Sequence, residues 1–473
     1  MTIKKMPSFK LTGLAALVMA ATLSSTSVFA LQFTSVDAIY TADQKNQYVL
    51  DIEAAMARAQ ASEGVIPQWA ADEITDKANI KYASVDELAA EYKKVRHRMV
   101  AMLNVWTSKM DKGAGEYAHF GATTVDIYDT VKILQIKQSI LVLISQMREL
   151  ESEMISLAQE YRSTPMIGRT LGQHALPITF GKKVSSWIGE NRRNIERLKD
   201  VLERVNHSGI LKGAVGSYLG LGDKAIQVEE NFTKELGLDT PYPSDWHGTR
   251  DVYAEYANTL ALISKGYGRI GTELWMLQMT DIGETLETRP KSAVGSSTMP
   301  HKVNPSKSEA LIQYSRTIPR LAEVIQDDVI NFFERDNTSR PNNVVEEISI
   351  DTAKMLKSAT SLISKLQVKP EAMRANLDKT NGLIMSQRVT FALADSIGKT
   401  TANEKMHDVA TYAWENKVTL SEAIKHFPEL AQHLSPEKME KLMDVTTYVG
   451  LAEQQVDRVI AHAEALRSAD PAP

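Results

Sequence analysis

The chain has no cysteine at all. That excludes thiol nucleophiles, disulfide staples, cysteine-bound zinc or iron–sulfur sites and a lipidated-cysteine anchor. Its ten histidines show no HExxH or comparable spacing, so no metal site is indicated. Gly398-Lys399-Thr400 has the end of a phosphate loop, but Leu393 stands where the upstream glycine belongs, and no nucleotide site follows. No fixed-period repeat, no low-complexity tract beyond the two ends and no sustained alternation of strand type is present. What remains is a 473-residue chain, 43% hydrophobic and 24% charged, long enough for a large core and more than one domain.

Lys4, Lys5 and Lys10 precede an apolar run from Leu11 to Leu23, then a polar stretch ending in Val28-Phe29-Ala30. This is the order of a secretory signal. The run is too short for the ~20 residues of a spanning helix, so cleavage after Ala30 and a periplasmic mature protein without a stable membrane anchor are expected. Removing residues 1–30 takes three lysines and no acids, moving the net charge from −5 to −8. Nucleic acid is disfavoured as a partner, and an anionic substrate needs a local positive site.

The mature sequence reads as helical. Apolar residues recur in steps of three and four at Ile127, Val131, Leu134, Leu141, Ile144 and Met147. A second stripe runs Tyr256, Leu260, Ile263, Tyr267, Ile270, Leu274, Leu277, and a third Val345, Ile348, Thr352, Met355, Ala359, Leu362, Leu366. Stripes of this length predict an all-α fold built on a long central bundle. Smaller helical domains are expected at each end, giving divisions at 31–125, 126–368 and 369–473. Between the stripes, 286–304 reads as a loop rich in serine, proline and glycine, with Asn304 capping a helix that opens on Pro305 and kinks at Pro319.

Three separated segments carry the polar residues that need explaining: His119-Phe120-Gly121-Ala122-Thr123-Thr124-Val125-Asp126, Gly168-Arg169-Thr170-Leu171-Gly172-Gln173-His174-Ala175-Leu176-Pro177, and Gly295-Ser296-Ser297-Thr298-Met299-Pro300-His301-Lys302-Val303-Asn304-Pro305. Each lies at a helix boundary, where unpaired N–H groups and side chains gather around anions. Removing a proton beside a carboxylate drives charge onto the carboxylate oxygens, and fixed donors must hold that dianion more strongly than the starting acid. Thr123, Thr124, Thr170, Gln173, Lys302 and Asn304 are such donors. A serine serves as base if Lys302 and backbone N–H groups lower its pKa, and a histidine protonates the departing group. Taken singly, each of these residues is as readily a cap, a turn or a solvated charge.

The third segment, GSSTMPHKVNP, resembles the signature loop GSSxMPxKxNP of the aspartase/fumarase superfamily. HFGATTVDIYDT and GRTLGQHALPITFG resemble that superfamily's other two blocks, in the required order. Trp246-His247-Gly248-Thr249-Arg250-Asp251, Glu334-Arg335-Asp336 and the segment 433–461 are similar to the branch holding adenylosuccinate lyase and 3-carboxy-cis,cis-muconate cycloisomerase, and the last favours the cycloisomerase side. The resemblance implies a homotetramer with a twenty-helix core, active sites shared among three subunits, no organic cofactor and a small anionic polycarboxylate substrate. It implies Ser296 as general base, Lys302 and Asn304 on a substrate carboxylate, and Thr123, Thr124, Arg169, Thr170 and Gln173 completing the anion site. Arg250, Arg335 and Arg340 are candidates for a second carboxylate, with structural ion pairs as the alternative.

One position departs from the pattern. Leu171 stands where the lyases place histidine, so the acid is His119 or His174, or the leaving group needs little protonation, or function is lost. Three readings follow: β-elimination releasing fumarate or a substituted fumarate, lactonisation by a cycloisomerase, and a non-catalytic polyanion binder. Export argues against adenylosuccinate or muconate itself and for a related polycarboxylate or succinylated amine.

Overall fold

A computed structural model describes residues 32–243, 249–288, 292, 297–329, 332–335 and 342–471. The expected signal segment 1–30, Ser296, Arg340 and Trp246-His247-Gly248 lie outside the described residues. The centre is built from long helices, named α1 (Thr124–Glu160), α2 (Phe180–Asn206), α3 (Asp251–Leu277), α4 (Ser306–Asp327) and α5 (Asn342–Ile363). The fold is all-α with small strands only, as the spacing predicts.

α1 spans 37 residues without a proline or glycine, a length of about 55 Å. Every residue of its predicted stripe is buried, as are all seven of the α3 stripe. The α5 stripe is buried from Val345 to Leu362, but its expected last member, Leu366, opens a strand instead. α3 and α4 approach closely because a Cβ on Gly268 would lie 2.3 Å from Ser315 Cβ, and one on Gly271 only 2.8 Å from Leu311 Cβ. Any side chain there would force the pair apart. α4 runs through Pro319 and begins at Ser306, with Pro305 at the cap position, one residue later than the sequence suggests.

The strands are a finding that helical periodicity did not announce. The second polar segment is a hairpin, β1 (Pro165–Thr170) paired antiparallel with β2 (Gln173–Thr179), joining α1 to α2. Leu171 at φ 53° and Gly172 at φ 78° form its two-residue tip. Left-handed φ at both positions is the geometry whose twist matches paired strands. β3 (Thr285–Glu287) pairs with β4 (Leu366–Val368), so Leu286, expected as loop, is strand.

Helix directions set where the polar segments lie. Asp126, in the first turn of α1, accepts from the N–H groups of Lys212 and Gly213, which follow α2. The start of α3 meets the same end through Arg250–Asp129 and through Gln326, near the end of α4, bonded to Asn258. At the other end sit the hairpin, the residues after α3 and the start of α4. α1, α3 and α5 therefore run one way, and α2 and α4 return.

The helices before α1 share the bundle's hydrophobic core. Residues 377–445 gather a second core with Ile167 of β1, while the helix Ala452–Arg467 packs back on the first.

Candidate active site

His119, at φ 59°, stands five residues before α1. Its backbone N–H donates to Glu53 Oε2 at 3.0 Å, and its ring Nδ1 lies 2.7 Å from Glu53 Oε1. Glu53 is buried in the helix Ala42–Ser62, and because a carboxylate accepts, the ring donates through Nδ1. Burial by itself lowers the imidazole pKa, but the Glu53 hydrogen bond and the charges of Glu53 and Asp126 outweigh it and raise it. The geometry suits proton donation. Thr123 and Thr124 follow at the N-terminus of α1, both half-buried. Asp126 accepts from Thr123 N–H at 2.9 Å as well as from Lys212 and Gly213, yet burial pushes its carboxyl up to about 6.

The hairpin presents a second donor set. Thr170, Leu171, Gly172 and Gln173 are exposed, Leu171 completely. Arg169 faces inward: its guanidinium binds both oxygens of the fully buried Glu284, at 2.9 and 2.7 Å, and Asn376 Nδ2 donates to the same carboxylate at 2.7 Å. The structure thus spends this guanidinium inside the fold, because a buried carboxylate left unpaired is costly. His174 pairs across the hairpin with Arg169. Burial and the positive charges of Arg169 and Lys379 lower its pKa, against a smaller pull from Glu284, and its buried Nδ1 has no hydrogen-bond partner among the described residues.

In the third segment Lys302 and Asn304 are exposed, on a turn closed by Lys302 N–H to Met299 O at 3.0 Å and anchored by Gln278 Nε2 donating to Val303 O at 3.0 Å. Glu287 of β3 caps α4, accepting from the N–H groups of Lys307 and Ser308. Arg250 is buried, 3.5 Å from Asp129 and against the Tyr253 ring, so it too has an internal partner. Arg335 is half-exposed between α4 and α5.

Among the described residues, the three segments do not meet within the chain. His119, Thr123 and Thr124 lie at the end where α3 starts; Thr170, Gln173, Lys302 and Asn304 lie where α3 finishes, 27 residues and about 40 Å away. Residues 18–319 match the family model described as lyase, and 382–459 the one described as adenylosuccinate lyase C-terminus. The chain belongs to the fumarate lyase superfamily. The chain is 37% identical over 426 residues to an adenylosuccinate lyase of Methanocaldococcus jannaschii, covering 89% of this chain and 92% of that one. To an N-acetyl-S-(2-succino)cysteine lyase of Dickeya dadantii it is 34% identical, covering 90% and 94%. The crystal structure of a fumarate lyase from Mesorhizobium sp. BNC1 superimposes with TM-score 0.83 at 31% identity, over 90% of this chain and 97% of that one. This member of the superfamily is a lyase or cycloisomerase.

Sequence reasoning missed Glu53, the partner that orients His119. Its signal was present: an acid between Ile52 and the apolar run Ala54-Ala55-Met56, where a helix buries its face. Lys132, buried on α1 inside Val131-Lys132-Ile133-Leu134, is a second such case. No helix among the described residues is long and apolar enough to cross a membrane.

Proposed function

We propose that the protein is a lyase that eliminates a group from a succinyl-type substrate and releases fumarate or a substituted fumarate, in a homotetramer whose sites are shared between copies. The observation that carries this reading is the placement of complementary donor sets at opposite ends of an antiparallel bundle. A copy lying alongside in the reverse direction brings His119, Thr123 and Thr124 of one protomer to Thr170, Gln173, Lys302 and Asn304 of others. Leu262, Trp275 and Met276 remain exposed on α3, apolar surface that such packing covers. Two curated relatives are named for cleavage of succinyl compounds, which supports the substrate class.

In this reading Ser296 takes the proton from the carbon next to the carboxylate. Lys302, Asn304 and the threonines hold the charge that develops on the carboxylate oxygens. The bond from the neighbouring carbon to the leaving group breaks with its electron pair staying on that group, and His119 Nε2 supplies the proton it needs. Arg169 and Arg250 act by holding the walls of the site through Glu284 and Asp129. The signal-like order of residues 1–30 supports a periplasmic reaction, and the mature protein should then begin at Leu31 when its N-terminus is sequenced.

The test is a panel of succinylated amines and succinylated thiols, followed by the ultraviolet absorbance of the new conjugated double bond. At least one should be turned over, and Ser296→Ala should abolish turnover. No turnover anywhere, with polyanions still raising Tm, would leave a binding protein instead. Leu171, an apolar residue at the hairpin tip, favours one second reading, lactonisation without a leaving fragment. A product of unchanged mass identifies it.

A further inference from the structure

A groove of about 780 Å³ runs between α2 and the helix Ala452–Arg467. The two helices lie side by side and point the same way. Glu453 and Asp457 pair with Arg162, just past the end of α1 and against Gly181 of α2, whereas Arg467 reaches Ser152 and Glu151, further back along α1. From α2 the groove takes Lys182, Ser186, Gly189 and Arg193, at steps of three and four. The facing helix adds Arg458, Val459, His462 and Leu466.

Two features of this groove find no use among the described residues. The first is charge. Lys182, Arg193 and Arg458 make no ion pair there, and the nearby acids are already engaged: Glu196 by Lys199 at 3.1 Å, Glu190 by Arg269, and Glu453 and Asp457 by Arg162. Arg192, which also borders the groove, is held by Glu151 and by the buried Asp470 carboxylate. A positive surplus therefore faces outward. The second feature is Gly189. Glycine weakens a helix interior, and packing accounts for it where a side chain would collide. That is so for Gly266, Gly268 and Gly271 of α3, whose Cβ atoms would stand within 2.8 Å of a neighbour. A Cβ on Gly189 would meet only Arg193 Nη1, at 3.7 Å. The chain itself has no need of this gap, and what a glycine on a helix surface permits is the close approach of another backbone.

We propose that the groove is a docking site for an acidic amphipathic helix of a partner protein. Lys182 and Arg193 stand eleven residues apart, about 16 Å along α2, and an interval of eleven residues returns to the same face of a helix. Arg458 follows Asp457 at the Arg162 end and so joins Lys182. The partner helix carries carboxylates at that same interval, one for Lys182 and Arg458 and one for Arg193, with apolar residues between them over Gly189, Val459 and Leu466. Opposed charges at the two ends fix its register. This docking is independent of the reaction.

The probe is an alanine-rich helical peptide of about 20 residues with two glutamates eleven apart and leucines between them. It is titrated by fluorescence anisotropy into the full chain, beside the same peptide with lysines for glutamates. The acidic peptide should bind at least about tenfold more tightly than the basic one, and less tightly as salt is raised. Arg193→Glu with Arg458→Glu, both at exposed positions where folding is not at risk, should reverse the preference. Gly189→Leu should block the peptide, while Gly189→Ala should raise Tm because alanine is the better helix former. Equal binding of the two peptides, no binding of the acidic one, binding that survives both the charge reversal and Gly189→Leu, or a lower Tm in Gly189→Ala overturns the proposal. So does a smaller oligomer in the charge-reversed variant, which gives the groove to a second copy of this chain.

Discussion

Two variants crippled at opposite ends of the bundle should rescue each other. Thr124→Val removes a hydroxyl at the start of α1, and Lys302→Ala removes an exposed ammonium from the loop before α4. The two positions are separated in one protomer by the length of α3, 27 residues or about 40 Å, far beyond the reach of a small substrate. Each variant alone should lose about a hundredfold or more in turnover, the usual effect of deleting one donor that holds developing charge. When equal amounts are co-expressed and assemble at random, a site that draws one segment from each of two subunits is intact about one time in four. The mixture should therefore regain about a quarter of the wild-type rate, measured as fumarate absorbance with a substrate from the succinyl panel. Mixed oligomers that form, verified by differently tagged subunits, yet stay as inactive as the parents would refute the shared site. So would a wild-type protein that turns over as a monomer.

Three further outcomes are expected. Arg169→Ala leaves the fully buried Glu284 without its bidentate partner, so the protein should lose about 3 to 5 kcal/mol, and Glu284→Gln in the same chain should recover part of it; a large rise in KM with unchanged Tm would instead give Arg169 to the substrate. Burial pushes the Lys132 ammonium from 10.5 down to about 8, with Lys45 adding to the shift and Glu346 and Asp129 opposing it, while the Tyr40 hydroxyl, pushed up to about 12, stays neutral beside it. The unfolded chain then binds the extra proton between those values, so this group's cost is full below about pH 8 and fades toward 10.5; Lys132→Met should raise stability at pH 7 by up to about 3 kcal/mol, with the gain shrinking in alkaline melts. A gain that stays constant from pH 7 to 11 would contradict this. Finally, Leu171→Asn should relieve up to about 1 kcal/mol of left-handed strain at the hairpin tip without opening a core, so a marked fall in Tm would mean that another subunit packs on Leu171.

The long helices were legible because their buried faces are written in steps of three and four, which a strand cannot satisfy. The hairpin was not, because its evidence is a Leu-Gly pair that has to adopt left-handed φ, and leucine carries no turn signal. Strands β3 and β4 were hidden for a related reason. Each is three residues long, too short for alternation to register, and their pairing joins segments separated by two helices.

The candidate site divides in the same way. Motif order alone singled out His119, Thr123, Thr124, Thr170, Gln173, Lys302 and Asn304, because residue type and local spacing are properties of the chain. Which arginines face inward could not be read from it. Arg169 and Arg250 looked like ligands for a carboxylate, and they are, but the carboxylates are Glu284 and Asp129 of the protein itself. The sequence by itself determined the helical class, the superfamily and the donor types. Tertiary structure alone decided that Glu53 orients His119, that Lys132 is buried, and that the donor sets lie at opposite ends of the bundle. The reason is that charge pairing and burial depend on distances through space, which helix direction and packing set and which sequence separation does not.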